Sequence, residues 1–349
     1  MSYTYKKDIS FKKKSIIIDA HTDIPTQIFV KRIEGERNVL DNWHADRLRK
    51  GGINLQVLAI YVEARYKPGR SLEMALRQLE ALLDDISESS EFMLIKNKKD
   101  LDSAIEQKKI GAILSMEGAE PIEAGIELLH LFFRLGIRIL GFTWNQRNKL
   151  ADGVDEIVSG GGLTSYGRVV LKEAFRLNIL PDISHMAPAG VSDVIELATG
   201  PVIASHSGAR SIYDYKRNLS DEQIVKIAKT GSVIGVPAIS VLIAPPSLPI
   251  PTVETVVDHI EHLVRVAGEN HVGLGADFID YLTELDSMGR IGNEWDINSQ
   301  EKETQGLYTA ADIPNLREAM IKRNFSNKLI NGVLGENFLR VFHESLPVN

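Results

Sequence analysis

The segment Ile16-Ile17-Ile18-Asp19-Ala20-His21-Thr22-Asp23 joins a short apolar run to residues that can bind a metal ion. Such a run is typical of a strand buried on both faces, as in a parallel sheet. In extended backbone, residues two apart face the same side, so His21 and Asp23 can reach one ion together. The segment therefore predicts a buried strand that presents ligands at its carboxyl end.

Four later runs repeat this arrangement, because each is short and apolar and stops at a carboxylate or an imidazole. They are 112–117, ending at Glu117; 180–185, ending at His185; 202–206, ending at His206; and 272–277, ending at Asp277. Ligand-type side chains at the carboxyl ends of several parallel strands meet at one end of a barrel. The five runs together predict one shared site.

Apolar runs of this type alternate with amphipathic segments along the chain, such as 71–87 and 253–267. This alternation predicts a parallel sheet, and eight units in roughly 270 residues fit a closed (β/α)8 TIM barrel. An open doubly wound sheet is the alternative, but it would gather the ligands near one switch point. The predicted strands are 15–20, 53–62, 111–117, 137–144, 179–185, 201–206, 232–239 and 271–277.

No shift in composition marks a domain boundary, so residues 1–349 are predicted to form a single barrel domain. Residues 1–14 read as a polar, lysine-rich leader. The polar stretch 283–308 follows the last predicted strand and reads as a long loop. At the mouth of a barrel such a loop is a candidate lid, with a surface insertion as the alternative.

Composition narrows the function further. The net charge of −7 disfavours a nucleic-acid partner held by phosphate contacts. The chain has no cysteine, so any metal site must use His, Asp and Glu. No run approaches the ~20 apolar residues that a membrane helix needs, and the N-terminus has no signal-peptide core. We therefore expect a cytoplasmic protein without a membrane span.

The residues at the strand ends suit a pair of divalent cations. The two oxygens of Glu117 can bridge ions about 3.5–4 Å apart, the usual hydrolytic pair. His185 and His206 each follow a serine, and neutral imidazole is the commonest metal ligand. Asp277 would stay ionised beside the cations and could move a proton from the metal-bound water to a leaving amine. This set predicts hydrolysis of an amide or ester by a hydroxide that the metals hold.

These motifs resemble those of the membrane dipeptidase (renal dipeptidase) family, in the metal-dependent amidohydrolase superfamily. The resemblance extends from about Ser15 to Phe342 and is carried by 19–25, 115–119, 182–185, 205–207 and 273–278. It implies a (β/α)8 barrel, two Zn²⁺ ions per chain, a homodimer, and cleavage of dipeptides that include L,D members. Sites built from histidines and carboxylates also accept Mn²⁺, Co²⁺ or Fe²⁺, so the identity of the metal stays open.

The resemblance also implies a role for each site residue. One Zn²⁺ is held by His21, Asp23 and Glu117, and the other by Glu117, His185 and His206. Arg217 matches the arginine that pairs with the free carboxylate of the substrate. A guanidinium fork suits that contact, because it binds a carboxylate in a bidentate way.

The chain departs from the renal enzyme in the fourth predicted strand. Trp144 stands where that enzyme has a histidine that contacts the transition state, and tryptophan offers only one donor. Asn145 could supply a compensating hydrogen bond, so both are candidate substrate-binding residues. Residues 237–240 also lack a tyrosine associated with carboxylate binding, which places more weight on Arg217.

Two other functions remain open. A related hydrolase could act on another small amide, a cyclic amide or a lactone, but many such enzymes bridge their metals with a modified lysine on the fourth strand. Here that strand ends in Thr143-Trp144-Asn145, and Glu117 is available on the third. The barrel could instead be a non-catalytic metal- or peptide-binding protein. The presence of every residue that the chemistry needs argues against this.

Overall fold

A computed structural model describes residues 15–247, 250–291 and 303–348 of the chain. All eight predicted strands form, although most are shorter than predicted, and every pairing between them is parallel. The strands of the described residues are β1 (Ile18–Asp19), β2 (Leu55–Tyr61), β3 (Phe92–Leu94), β4 (Ile110–Glu117), β5 (Ile137–Gly141), β6 (Leu180–Asp182), β7 (Ile203–Ala204), β8 (Val233–Val236) and β9 (Val272–Leu274).

The sheet runs in the order β1-β2-β4-β5-β6-β7-β8-β9. The N–H of Ala20 donates to the carbonyl of Leu274 at 3.0 Å, which joins the first strand to the last. The predicted eight-stranded barrel is therefore confirmed, and the open sheet is excluded. The sequence reading missed β3, a three-residue strand that pairs with the first residues of β4.

Helices follow the strands and cover the outside of the barrel. They are α1 (Ile24–Ile33), α2 (Asp46–Gly51), α3 (Ser71–Glu88), α4 (Lys98–Glu106), α5 (Ile126–Leu135), α6 (Ser165–Arg176), α7 (Pro188–Leu197), α8 (Asp221–Lys229), α9 (Ser240–Ile243), α10 (Val253–Ala267), α11 (Leu282–Ser287), α12 (Ile313–Lys322), α13 (Asn327–Asn331) and α14 (Asn337–Ser345). Shorter 3₁₀ turns are Ala64–Tyr66, Glu120–Ile122, Val154–Ser159, Glu269–His271 and Ala310–Asp312, and π-helical turns are Leu40–Ala45 and Gly332–Glu336.

Local sequence explains where several helices begin. A capping box starts α8, since the side chain of Ser220 accepts from the N–H of Gln223 and the Gln223 side chain accepts from the N–H of Ser220. Most helices bury one face against the strands, as their amphipathic spacing predicts. Among the described residues, no helix has the length and apolar character needed to cross a bilayer.

The amino-terminal end of the barrel is plugged by apolar side chains. Residues from the barrel strands form a buried cluster with Phe338 and Phe342 of α14, whose rings stack with centroids 5.5 Å apart. Gly273 leaves room for the Phe338 ring, because a Cβ there would lie 2.3 Å from a ring atom. This plug leaves the carboxyl ends of the strands as the place for a site.

The predictions for the leader 1–14 and for the loop 283–308 have different outcomes in the structure. The leader 1–14 lies outside the described residues. The loop predicted over 283–308 is wrong at its start, where α11 forms, and 292–302 are not described. At the far end, the buried Thr304 donates its hydroxyl to the carbonyl of Ala238 at 2.5 Å, after β8. A lid function and the single-domain organisation of the whole chain stay predictions.

Candidate metal centre

The six residues predicted for the metals and the catalytic proton lie together, buried, at the carboxyl ends of five strands. His21 and Asp23 follow β1, Glu117 ends β4, His185 follows β6, His206 follows β7 and Asp277 follows β9.

Glu117 is at the centre of this group. Its Oε1 atom is 2.9 Å from His185 Nε2 and 3.6 Å from His206 Nε2. The same oxygen is 3.6 Å from His21 Nε2, so one carboxylate faces three imidazoles. The same atom, His21 Nε2, is also 3.8 Å from Asp277 Oδ1 and 3.9 Å from Asp23 Oδ2. Glu117 therefore lies among all three imidazoles that are candidate metal ligands.

Several ligand atoms in this group have no hydrogen-bond partner among the described residues. They are His21 Nε2, Asp23 Oδ1 and Glu117 Oε2, all fully buried. A buried polar atom without a partner carries the full cost of its desolvation, so these atoms fit a bound cation. Two triads bring candidate ligand atoms within 4.8 Å of one another: His21, Glu117 and His206; and His21, Asp23 and Asp277. Imidazole nitrogens and carboxylate oxygens are donors that Zn²⁺ accepts.

The buried carboxylates of the site repel one another electrostatically and are stabilised by positive charge nearby. Burial, reinforced by the charge of Asp23, raises the pKa of Glu117 well above its usual value. Burial also raises the pKa of Asp277 to about 6. Burial alone would lower the pKa of His21, but Glu117 and the two aspartates outweigh it and raise that pKa to about 10. The imidazolium of His21 thus supplies charge that divalent cations would otherwise provide.

The other two histidines are neutral, because burial and the nearby charges of Arg217 and His21 hold their pKa values well below the usual range. The Nδ1 atom of His185 is 2.8 Å from Asn145 Oδ1, and that of His206 is 2.8 Å from Ser205 Oγ. When each Nδ1 donates its proton to that oxygen, each Nε2 keeps its lone pair. The two Nε2 atoms are 2.8 Å apart, a repulsive arrangement that a shared cation would relieve.

The backbone at the strand ends is unusual. His185 and Asp277 have φ angles of 67° and 56°, in the left-handed region that few non-glycine residues occupy. Gly118, directly after Glu117, has φ 89°, and a Cβ there would lie 2.5 Å from Glu120 Oε2. Backbone held in such regions by its surroundings is concentrated at functional sites.

The three residues predicted for substrate also lie at this end of the barrel. Arg217 is buried and donates to the carbonyl of His206 at 3.3 Å. Trp144 stacks on His185, with centroids 5.8 Å apart and an interplanar angle of 27°. The amide oxygen of Asn145 contacts His185 rather than open space, so the structure gives Asn145 an orienting contact. Its contact with substrate stays a prediction.

Comparison with known proteins identifies the family of the chain. A family model for membrane dipeptidases, peptidase family M19, matches residues 7–347. The chain belongs to this family.

Dipeptidase 3 of Macaca fascicularis is 27% identical over 344 residues, which are 95% of this chain and 65% of that protein. Dipeptidase 3 of Homo sapiens is 27% identical over 340 residues, which are 94% of this chain and 64% of that protein. The chain thus spans just under two thirds of the length of these curated relatives.

Solved structures of metallopeptidases share the fold of this chain. The crystal structure of a dipeptidase of family M19 superposes with a TM-score of 0.79 and 24% identity, covering 96% of this chain and 99% of the other. A metallopeptidase from Rhodobacter sphaeroides, solved with a phosphinate mimic of the dipeptide L-Ala-D-Ala, gives 0.78 and 23% over 96% and 100% of the two chains. The TIM-barrel fold that we predict for this M19 chain is confirmed.

Sequence reasoning missed several residues around the site. Asp19 and Asp182, which end β1 and β6, accept hydrogen bonds from backbone next to the candidate ligands. Lys67 and Glu120 form a buried ion pair at 3.2 Å beside Trp144. The position of each aspartate shortly before a histidine was a usable signal, whereas nothing in the sequence links Lys67 to Glu120.

Proposed function

We propose that this M19 chain is a dipeptidase that binds two Zn²⁺ ions. The observation that carries the proposal is the placement of one buried carboxylate, Glu117, against three imidazoles. In the proposed assignment, Glu117 would bind both ions. His21 and Asp23 would complete one ligand set, and His185 and His206 would complete the other.

Bound ions of this kind polarise a carbonyl group and acidify water. The chain supplies the proton transfer. Asp277 is beside His21, and its carboxylate takes a proton from the attacking water and gives it to the nitrogen of the leaving amino acid. Asp277 is buried, and its Oδ1 lies 3.8 Å from His21 Nε2, so the carboxylate is at the candidate metal centre.

Arg217 is the residue that would make the enzyme selective for dipeptides. The buried guanidinium donates to the backbone carbonyl of His206, which is itself a candidate metal ligand. A substrate carboxylate bound there would neutralise the charge of the guanidinium. In a free dipeptide, a single residue separates the carboxylate from the scissile bond, so a carboxylate held by Arg217 would fix the position of that bond. Longer peptides would place an amide, which carries no charge, at that position.

The substrate class that we propose is free dipeptides, including those with a D-residue at the carboxyl end. The L-Ala-D-Ala mimic bound to the R. sphaeroides metallopeptidase supports this extension. A homodimer and a cytoplasmic location stay predictions.

The test is an assay of Zn²⁺-reconstituted protein with L-Ala-L-Ala and L-Ala-D-Ala. Dipeptide amides and tripeptides serve as matched controls that lack a carboxylate at the required position. We expect hydrolysis of the free dipeptides only, its loss with a chelator, and its return with Zn²⁺. Asp277→Asn should lose nearly all turnover and keep its metal.

The same experiment includes a panel of lactones and cyclic amides. Hydrolysis of those compounds without cleavage of dipeptides would assign the chain to another reaction of the superfamily. Stoichiometric metal binding with no hydrolysis of either panel would instead indicate a binding protein.

A further inference from the structure

Two buried aspartates end barrel strands without being candidate ligands. Asp19 ends β1 and Asp182 ends β6, and their exposed fractions are 1% and 7%. Each stands two or three positions before a metal-ligand candidate, His21 or His185. Neither is needed for the proposed hydrolysis, so both require another explanation.

The two aspartates make the same backbone contacts. Asp182 Oδ1 accepts from the N–H of Ser184, two residues on, and of Ser205 on the neighbouring strand end, both at 3.0 Å. Asp19 Oδ1 accepts from the N–H of His21, two residues on, at 3.4 Å, and of Ala276 at 2.8 Å. Ser205 and Ala276 directly precede His206 and Asp277. Each carboxylate thus connects, by hydrogen bonds, the end of its own strand to the end of another strand that carries a site residue.

Asp182 makes one additional contact. Its Oδ2 atom accepts from the hydroxyl of Ser205 at 2.5 Å, and Ser205 Oγ is also 2.8 Å from His206 Nδ1. A carboxylate can only accept, so the single hydroxyl proton of Ser205 points to Asp182. Ser205 Oγ must then accept the proton of His206 Nδ1.

We propose that Asp182 is a positioning residue that fixes the tautomer of His206 through Ser205. In this chain of hydrogen bonds, which we call the relay, Ser205 donates to Asp182 and His206 Nδ1 donates to Ser205. This order leaves a lone pair on His206 Nε2, which faces Glu117. This inference rests on the proposed function, because a lone pair there matters only if His206 binds a metal. Asp19 has the same backbone contacts without a hydroxyl in between, and it is the internal control.

The relay predicts an unusual effect for Asp182→Asn. The amide oxygen would keep the two backbone contacts, and the amide nitrogen would replace Oδ2 and donate to Ser205 Oγ. Ser205 would then donate to His206 Nδ1, at 2.8 Å, in preference to Ser184 Oγ, at 3.3 Å. This moves the ring proton to Nε2 and blocks the ligand atom. We expect a loss of Zn²⁺ affinity of about 10- to 100-fold, the range typical of residues that orient metal ligands.

The experiment measures two quantities on the full chain. The first is the tautomer of His206 in metal-free protein, from the ¹⁵N shifts of labelled histidine, assigned with His206→Gln. The second is Zn²⁺ affinity, by competition with a chromophoric chelator. We expect the Nδ1–H form in wild type and in Asp19→Asn, and the Nε2–H form in Asp182→Asn.

The double variant Asp182→Asn with Ser205→Ala separates a relay from a structural effect. Without the Ser205 hydroxyl, the new amide at position 182 cannot reverse the tautomer of His206, so the double variant should bind Zn²⁺ as well as Ser205→Ala alone. Additive losses, or an unchanged tautomer in Asp182→Asn, would overturn the inference. If wild type shows the Nδ1–H form but binds no Zn²⁺, the proposed function fails while the relay stands. Thermal unfolding of each metal-free variant identifies any that do not fold.

Discussion

Replacing Asp277 with asparagine should make the metal-free protein more stable while removing its activity. Asp277 is buried among Asp23, Glu117 and His21, and burial raises its pKa to about 6 from 3.8. The carboxylate is therefore less favourable in the folded chain than in the unfolded chain at neutral pH. Asparagine has the same shape and carries no charge, so it removes this cost.

The sign and size follow from proton linkage. Between about pH 4 and pH 6 the folded state keeps the proton that the unfolded state has lost, so stability falls as the pH rises through this window. Above pH 6 the cost is constant, at about 3 kcal/mol. This pKa already includes the attraction of the His21 imidazolium, 3.8 Å away, so we expect the variant to gain up to about 3 kcal/mol of stability at pH 7.5.

Urea unfolding of chelator-treated protein at pH 7.5 and pH 4 measures this difference. The gain should be present at pH 7.5 and should largely disappear at pH 4, where the folded state of wild type is protonated and the unfolded state is about half protonated. The exposed Asp102 is a matched control, and Asp102→Asn should change stability by less than about 0.5 kcal/mol. A metal-free Asp277→Asn that is less stable than wild type at pH 7.5 would refute the electrostatic reasoning.

Three other substitutions test separate parts of the structure. Glu117→Gln should reduce bound Zn²⁺ from the two ions per chain that we propose to less than one, measured by elemental analysis after dialysis, because in the proposed assignment this carboxylate binds both ions. Arg217→Ala should raise the KM for free dipeptides about 100-fold with a smaller effect on kcat, since it removes a charged contact with the substrate; an unchanged KM would remove Arg217 from substrate binding. Phe338→Ala should destabilise the protein by about 3–5 kcal/mol in urea unfolding, because it empties the plug at the base of the barrel; a loss below about 1 kcal/mol would contradict the packing described.

The sequence predicted the barrel and the location of its site for one physical reason. Parallel strands buried on both faces appear as apolar runs, and the residue that ends each run lies at the barrel mouth. His21, Glu117, His185, His206 and Asp277 could therefore be grouped before any coordinates existed. The short strand Phe92–Leu94 was missed because three residues are too few for a periodic signal.

Other features depend on contacts that sequence spacing does not encode. Asp19 accepts from Ala276, 257 residues later, and this bond exists only because the barrel closes. The role of Asp182 likewise depends on a hydroxyl from the next strand. Asn145 was predicted to contact substrate, but its position against His185 became visible only when both strand ends were placed.

Anomalous scattering from crystals grown with Zn²⁺ tests the central claim most directly. Two peaks should appear in data collected above the zinc absorption edge and fade in data collected below it. One should be bound by His21 and Asp23, the other by His185 and His206, with Glu117 contacting both. No peak at these imidazoles, or zinc bound only at the protein surface, would contradict the proposed metal centre.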